Sequence, residues 1–512
     1  MGGSRKMKKK IFVMGLVSMF LLTSILTVKS IDVETEKKDG EIINTNHFVD
    51  FDYGPQVLED VCIYDVAVDS NGNVIAVGPQ WTVKRNSNDG NIIWLNDEYY
   101  TCVAVDSNDN IIGGIFFDEL FDFQYKIVKY DKDGNELFTR TYQKYGNSPL
   151  QDIAIDLQDN IVLTGYATDG EPGSYPTETW TIKVDGETGD ILAENILTSG
   201  DHFHALVSVD SEDNIILVGT MWDNKNNLVI RKCNNDDLNE QWSITTDYPD
   251  NYALYPSAVT TDSQNNIIIS GIRALVGSPE YNFSYFTVKF DKNGVDVWGS
   301  PVIYDNFGID DKATDVAVDS QNNIIVCGNR GDTIKYDKDG NELWQRIING
   351  YCSGIAVDSS NNIIVGGSLY RTVKYDKNGN VLWEKVINRP SDPTIDGPTK
   401  YKPGVEYTYL ISSTDPDGDQ VYYYIDWDDG TNSGWIGPYV SGEEVYVSHT
   451  WTKKEIFYVI EVMSKDIYGV FCKINARYGV DLEKNRVINK PFLTFLENYP
   501  NLFSILQRLI KF

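Results

Sequence analysis

One phrase, of the form V-A-V-D-S-x-x-N-I-I-x-x-G, recurs seven times between Val66 and Gly367. Its aspartates are Asp69, Asp106, Asp156, Asp210, Asp262, Asp319 and Asp358, and its asparagines are Asn73, Asn110, Asn160, Asn214, Asn266, Asn323 and Asn362. A second phrase, of the form T-V-K-Y-D-K-D-G-N-x-L-W, follows each copy. It is cleanest at Thr333 to Trp344 and at Thr372 to Trp383, and most eroded from Val229 to Trp242. Self-similarity on this scale means that each repeat is one supersecondary unit, unable to bury its faces except against its neighbours.

The apolar runs are short, rich in Val and Ile, and bounded by Asn, Asp and Gly, which is the pattern of strands joined by tight turns. No stretch between them has helical periodicity. Two phrases of two strands each make a four-stranded antiparallel sheet, and seven such sheets stacked in a ring make an all-β, seven-bladed β-propeller. The phrases, over roughly Val61 to Lys385, resemble the SBBP-type β-propeller repeat of secreted prokaryotic proteins. That resemblance implies the propeller fold and no single activity. Each third strand carries one basic residue, read as Lys84, Lys129, Lys183, Arg231, Lys289, Lys335 and Lys374. Seven bases matched to seven aspartates point to a structural charge pair, because a catalytic reading would demand seven identical sites.

Residues 1–30 stand apart from the repeats. Arg5, Lys6 and Lys8 to Lys10 precede an uncharged apolar run from Ile11 to Val28, with Ser30 as the small residue a signal peptidase needs. The segment reads as a signal peptide or an uncleaved N-terminal anchor, with Met7 as an alternative start. The expected location is therefore secreted or cell surface. Residues 31–60 form a lead-in segment and 61–389 the propeller. With 44 basic against 75 acidic residues, the net charge of −31 repels phosphate backbones and anionic lipid, which excludes nucleic acid as a partner. Membrane contact is expected only through the N-terminal segment or the C-terminal tail. The six cysteines form no metal-ligand spacing, and mostly buried thiols are expected.

Pro390, Pro393, Pro398 and Pro403 mark a stiff linker after the last repeat. From there to residue 481, short alternating runs such as Tyr422-Tyr-Tyr-Ile425 read as a β-sandwich. Asp415-Pro-Asp-Gly-Asp419, Asp426-Trp-Asp-Asp-Gly430 and Ser448-His-Thr-Trp451 resemble the motifs of PKD-like Ig-fold modules, although Glu455 stands where that family usually has Gly. The resemblance implies a spacer or weakly adhesive module. Asp415, Asp417 and Asp419 alternate around Gly418, a partial calcium-loop arrangement without the distal Glu of an EF-hand; the alternatives are a Ca2+ site and an ordinary acidic turn. No other cofactor is expected. Residues 482–512 carry an amphipathic stripe, broken at Asn498 and Pro500, that predicts a short helical tail, similar to tails of some secreted archaeal proteins.

Catalytic chemistry is poorly represented. There are four histidines, of which His202 and His204 form an H-x-H pair without an evident third ligand. Gly350-Tyr-Cys-Ser-Gly354 imitates a nucleophile elbow but runs straight into a strand, and Arg330-Gly-Asp332 is a short turn between strands. The informative variation is in the connections. Those between strands two and three, and between blades, vary in length, and both leave the same face of a propeller. On that face Phe117, Asp118, Phe121, Glu171, Tyr175, Trp222, Tyr252 and Tyr281 are the candidate ligand-binding residues. Aromatic rings beside carboxylates suit a glycan or a polypeptide, the expected extracellular partners. The expected function is therefore non-enzymatic binding or adhesion. A lyase or hydrolase using the same face, and a purely structural envelope component, are the alternatives.

Overall fold

Each recurring aspartate sits where a strand ends and the chain must reverse. Asp69 accepts from the backbone N–H of Asn71 and Asn73 and from the Asn73 side chain, while its own N–H donates to the Asn73 carbonyl. The fourth turn residue is thereby held at positive φ: Gly72 at 72°, Asp109 and Asp159 at 64°, Asp213 at 66°, Asn265 and Asn361 at 62°, Asn322 at 63°. These are the residue types that bear that conformation cheaply. The same chemistry closes the other turn, where Asp131 caps Asn135 across Gly134.

The structure is a computed structural model. It describes residues 37–38, 41–42, 62–115, 124–144, 148–167, 178–198, 206–222, 226–246, 248, 251–276, 283–305, 310–455 and 457–483, with backbone alone for 37–38, 41–42, Trp222 and Asn226. The chain divides into two compact units at Val61. In the first, Lys37–Lys38 pairs with Glu41–Ile42. The second holds seven four-stranded antiparallel sheets in sequence order, from Asp65–Val68 to Val381–Lys385. No helix occurs among the described residues, and the expected C-terminal helix lies outside them. The first strand of each sheet packs on that of the next, and Cys352–Val357 packs on Asp65–Val68, so the succession closes as a β-propeller. The second and third strands are the driest: Val74–Val77, Ile324–Gly328, Ile363–Gly367 and Phe283–Phe290 are buried throughout.

A buried ion pair lies in every blade. Lys84–Asp69, Lys129–Asp106, Lys183–Asp156, Lys232–Asp210, Lys289–Asp262, Lys335–Asp319 and Lys374–Asp358 are 2.7–2.9 Å apart. The fourth base is Lys232 rather than the expected Arg231. In each blade the paired lysine faces the second residue of strand two, as Ile75↔Lys84 and Ile112↔Lys129 show, and in the fourth blade Ile216 faces Lys232. Arg231, one position earlier, points to the other face of the sheet and meets Glu240 at 3.4 Å.

The ammonium groups also join neighbours. Lys84 donates to the Lys132 carbonyl at 3.0 Å, Lys129 to Gly186 at 2.7 Å, Lys183 to Asn235 at 3.3 Å, Lys289 to Lys338 at 3.4 Å and Lys335 to Lys377 at 3.2 Å. Lys374, in the last blade, donates to Ser87 in the first at 3.1 Å. Trp383 Nε1 donates to the same carbonyl, and a Cβ on Gly90 would meet the Trp383 ring at 2.7 Å. Burial raises the pKa of each paired aspartate, but the asparagine and lysine hydrogen bonds outweigh it and hold the carboxyl below its usual range.

Two further sets of contacts cross between blades. On the turn face, Ser70 donates its N–H and hydroxyl to Asp109, Ser107 to Asp159, Ser211 to Asn265 and Ser263 to Asn322; Leu157 and Ser320 donate an N–H alone to Asp213 and Asn361. From the seventh blade to the first this contact has no acceptor, because the residue is Gly72. On the innermost strands, Asp65 accepts from Val66 and from Val103 of the second blade. Asp152 links the third blade to Val207 of the fourth, and Asp315 links the sixth to Ile355 of the seventh. These three carboxyls lie in one another's field. Burial, reinforced by that repulsion at Asp152 and Asp315, raises Asp65 to about 6, Asp152 to about 7 and Asp315 well above its usual range.

After the propeller come two more sheets. Thr394–Asp396, Glu406–Ser412 and Val445–Thr450 form one; Lys400–Tyr401, Ala476–Leu482, Phe457–Asp466, Val421–Asp426 and Asn432–Tyr439 form the other. Their shared core is aromatic: Tyr401, Tyr409, Tyr423, Trp427, Trp451 and Tyr458. Trp451 Nε1 donates to the Trp427 carbonyl at 3.0 Å, and His449 stacks on Trp427 while its Nε2 meets Asp429 at 2.9 Å.

Three outcomes are expected. Lys335→Met strands Asp319 in a dry site and should cost about 3–5 kcal/mol in denaturant unfolding. Gly72→Asn supplies the missing acceptor opposite the seventh blade. The residue is already at φ 72°, with a Cβ site no closer than 3.5 Å to Asp358, so the variant should gain about 0.5–2 kcal/mol. Asp65, Asp152 and Asp315 bind protons more tightly folded than unfolded. Stability from them is therefore greatest below about pH 4 and is lost as pH rises through 6 and 7. The lysine-paired aspartates act oppositely, losing stability as pH falls below 3.8. Thermal unfolding midpoints in EDTA should accordingly rise by several degrees from pH 8 to pH 5 and fall again below pH 4. Asp152→Asn should flatten the neutral limb.

Candidate functional site

A propeller offers its connections as the natural binding surface, since the strands below them are rigid. Of the eight residues expected there, Phe117, Asp118, Phe121, Glu171, Tyr175 and Tyr281 lie outside the described residues. Trp222 ends the strand Ile215–Trp222, its backbone opposite Asn226, and its side chain is likewise outside them. Tyr252 begins the strand Tyr252–Thr261, and the Arg273 guanidinium stands 3.4 Å from its ring centroid. Within the described residues, then, no two of the eight are brought together.

The described aromatics of the blade-to-blade connections are engaged within the propeller. Tyr142 donates to the Gly189 carbonyl at 2.6 Å, Tyr248 to Asp296 at 2.8 Å and Tyr304 to Asp332 at 3.0 Å. A shallow recess of about 320 Å³ lies on the opposite, short-turn face, between Leu157, Ser211 and Ser263. Its carboxylates, Asp210 and Asp262, are the ones paired to Lys232 and Lys289. Asp332 of the Arg-Gly-Asp turn is buried and accepts from Tyr304 and Gln345, so the tripeptide is not presented. Cys352 is buried in a strand, and burial pushes its thiol up to about 12, which removes the thiolate a nucleophile needs. His202 and His204 lie outside the described residues.

The sandwich holds the more developed site. After the strand Glu406–Ser412 the chain turns at Asp415-Pro-Asp-Gly-Asp419, with Gly418 at φ 80°. Asp415 is 5% exposed; its Oδ1 accepts from the N–H of Asp417 at 2.9 Å and of Asp419 at 3.2 Å, and its Oδ2 is buried without a partner. One carboxylate oxygen from each of Asp415, Asp417 and Asp419 falls within 4.8 Å of the others. Asp466, at the end of Phe457–Asp466, is 1% exposed. Its Oδ1 accepts from Tyr468 and Val470 at 2.8 Å each, and its Oδ2 too is buried without a partner.

Burial, with the negative field of the neighbouring aspartates added, raises Asp415 and Asp419 above the usual carboxylate range and Asp466 to about 7. Like charges gathered with orphaned oxygens are destabilising alone and suited to a hard divalent ion. The donor set fits Ca2+: all ligands are carboxylate oxygens, two of them pre-oriented by backbone N–H groups. Asp466 was not among the sequence candidates. Its one signal is the Asp-Ile-Tyr-Gly469 turn, which echoes Asp415-Pro-Asp-Gly418 some fifty residues earlier.

No family model matches the chain, and no curated protein does. Solved structures do. The PKD domain of an M14-like peptidase from Thermoplasmatales archaeon SCGC AB-540-F20 is 43% identical, over 19% of this chain and 100% of that one, with a TM-score of 0.18. The β-propeller domain of the Trilobed protease from Pyrococcus furiosus is 10% identical, over 63% and 98%, with a TM-score of 0.40. BamB from Moraxella catarrhalis is 11% identical, over 62% and 94%, with a TM-score of 0.36. Propeller proteins and a PKD domain thus stand among the chains this one is similar to.

Proposed function

We propose that this chain is a non-enzymatic binding or adhesion protein of the cell exterior. In this reading residues 61–389 are a seven-bladed propeller of SBBP type, and residues 390–481 are a PKD-like module that takes up Ca2+ through Asp415, Asp417, Asp419 and Asp466. The observation that carries the calcium part is the orphaned, buried Asp415 Oδ2 clustered with carboxylate oxygens of Asp417 and Asp419, together with the orphaned, buried Asp466 Oδ2 in the field of Asp415 and Asp419. Export rests on the basic-then-apolar segment ahead of the repeats.

The binding part rests on a contrast between the two ends of the blades. Every turn joining strands one and two is clamped by an Asp–Asn hydrogen bond and held at one length, whereas connections at the other end range widely, from Ser368–Tyr370 to the span between Ile115 and Tyr125. Variation confined to one end of a rigid ring is what a recognition surface needs. A glycan or an extracellular polypeptide suits the aromatic and acidic residues of those connections.

Calorimetry with CaCl2 should show one ion bound with a Kd of about 0.1–1 mM, the range of extracellular modules. Asp415→Asn and Asp466→Asn should each abolish that binding; retention in both variants removes the calcium assignment. Glycan and peptide arrays should give a ligand whose binding is lost in the combined Phe117→Ala, Phe121→Ala and Trp222→Ala variant while the unfolding temperature is kept. Loss of stability with binding per folded molecule unchanged would make those rings packing residues.

A further inference from the structure

One residue breaks the repeat where the propeller meets the sandwich. The position after the paired lysine is Tyr130, Val184, Cys233, Phe290, Tyr336 and Tyr375 in six blades, and Arg85 in the first. Arg85 is 2% exposed; Nη1 donates to the Gly90 carbonyl at 3.1 Å, and Nε and Nη2 are buried without partners. A guanidinium so placed is costly unless a negative group faces it. The groups whose field it feels are Tyr468 and Asp417, both of the sandwich. A second propeller cation, Lys385 at the end of the last blade, lies in the field of Asp419. Between them Asn388, in the connection, donates its N–H to Asp417 Oδ2 at 3.3 Å and its Nδ2 to Asp417 Oδ1 at 3.0 Å.

We infer that calcium uptake by the sandwich and its docking on the first and last blades oppose each other, with Asp417 as the shared carboxylate. This rests on the calcium reading above. An ion held by Asp415, Asp417, Asp419 and Asp466 needs an Asp417 oxygen that Asn388 now occupies. It also sets a double positive charge in the field of the buried Arg85 and of Lys385. Without the ion, the propeller's own cations and the connecting amide answer the acidic loop and hold the module in place. With it, two of the loop's negative charges are cancelled, that attraction weakens, and the module's hold on the propeller loosens. Because the coupling is a free energy between two equilibria, it is reciprocal: docking weakens calcium binding by the factor by which calcium weakens docking.

The test uses the full chain and CaCl2. Arg85→Met and Asn388→Ala each remove one docking contact without touching a proposed ligand, and each should bind calcium about fivefold or more tightly than wild type by calorimetry. Fluorophores on the propeller and the sandwich should move apart on adding CaCl2 to wild type and already be apart in both variants. Calcium affinity unchanged or weakened in both variants overturns the antagonism and leaves the calcium site standing. No calcium uptake by wild type or either variant removes the site itself, and the inference with it. If Arg85→Met does not fold, Asn388→Ala carries the same comparison.

Discussion

The propeller depends on a lysine and an aspartate, buried together and repeated around a ring. A buried ion pair is a poor source of net stability, since removing both charges from water costs about as much as their attraction returns. Its value here is in register and direction. The aspartate is already committed to closing a turn, so the lysine can reach it only from one position on the facing strand; the remaining ammonium protons then find a carbonyl in the next blade. One side chain thus sets the pairing inside a sheet and the approach of its neighbour. Among the described residues no strand is exchanged between first and last blades. Closure comes from Lys374 and Trp383 meeting Ser87, from Tyr370 receiving the N–H groups of Gln80 and Trp81, and from the single bridge of Cys62 with Ser368.

That economy explains what could be read in advance. Where a requirement is local and repeated, as in the Asp-to-Asn turn, each copy states it again, and seven copies outweigh the erosion of any one. The misreading of Arg231 for Lys232 came where the fourth copy lost its flanking Tyr and Asp and only alternation of faces could tell two adjacent bases apart. Asp65, Asp152 and Asp315 were not legible, because they occupy a position where the other blades carry Cys102, Leu206, Ala258 and Gly354. Their roles exist only once strands far apart in sequence are neighbours. Asp466 was hidden for the same reason: the aspartates whose field it shares lie in a turn some fifty residues away.

The aromatic residues divide in an instructive way. In the sandwich the W-x-D-G and H-x-W motifs turn out to be one packed unit, with His449 stacked on Trp427 and tied to Asp429, so this histidine serves architecture. In the propeller, Tyr142, Tyr248 and Tyr304 use their hydroxyls to fasten connections to neighbouring strands. Composition alone could not separate rings that pack from rings that wait for a ligand. The hydroxyl partner decides, and it is known only from the fold.

Gly72 carries a consequence of its own. Six junctions between blades have a serine or backbone donor answered by an Asp or Asn, and the junction where the ring closes lacks the answering side chain. The chain also enters the ring at Cys62 and leaves it after Lys385, on the two sides of that same junction. Tension applied through the two ends of the ring would therefore be met first by the contacts of Lys374, Trp383 and Tyr370 with the first blade.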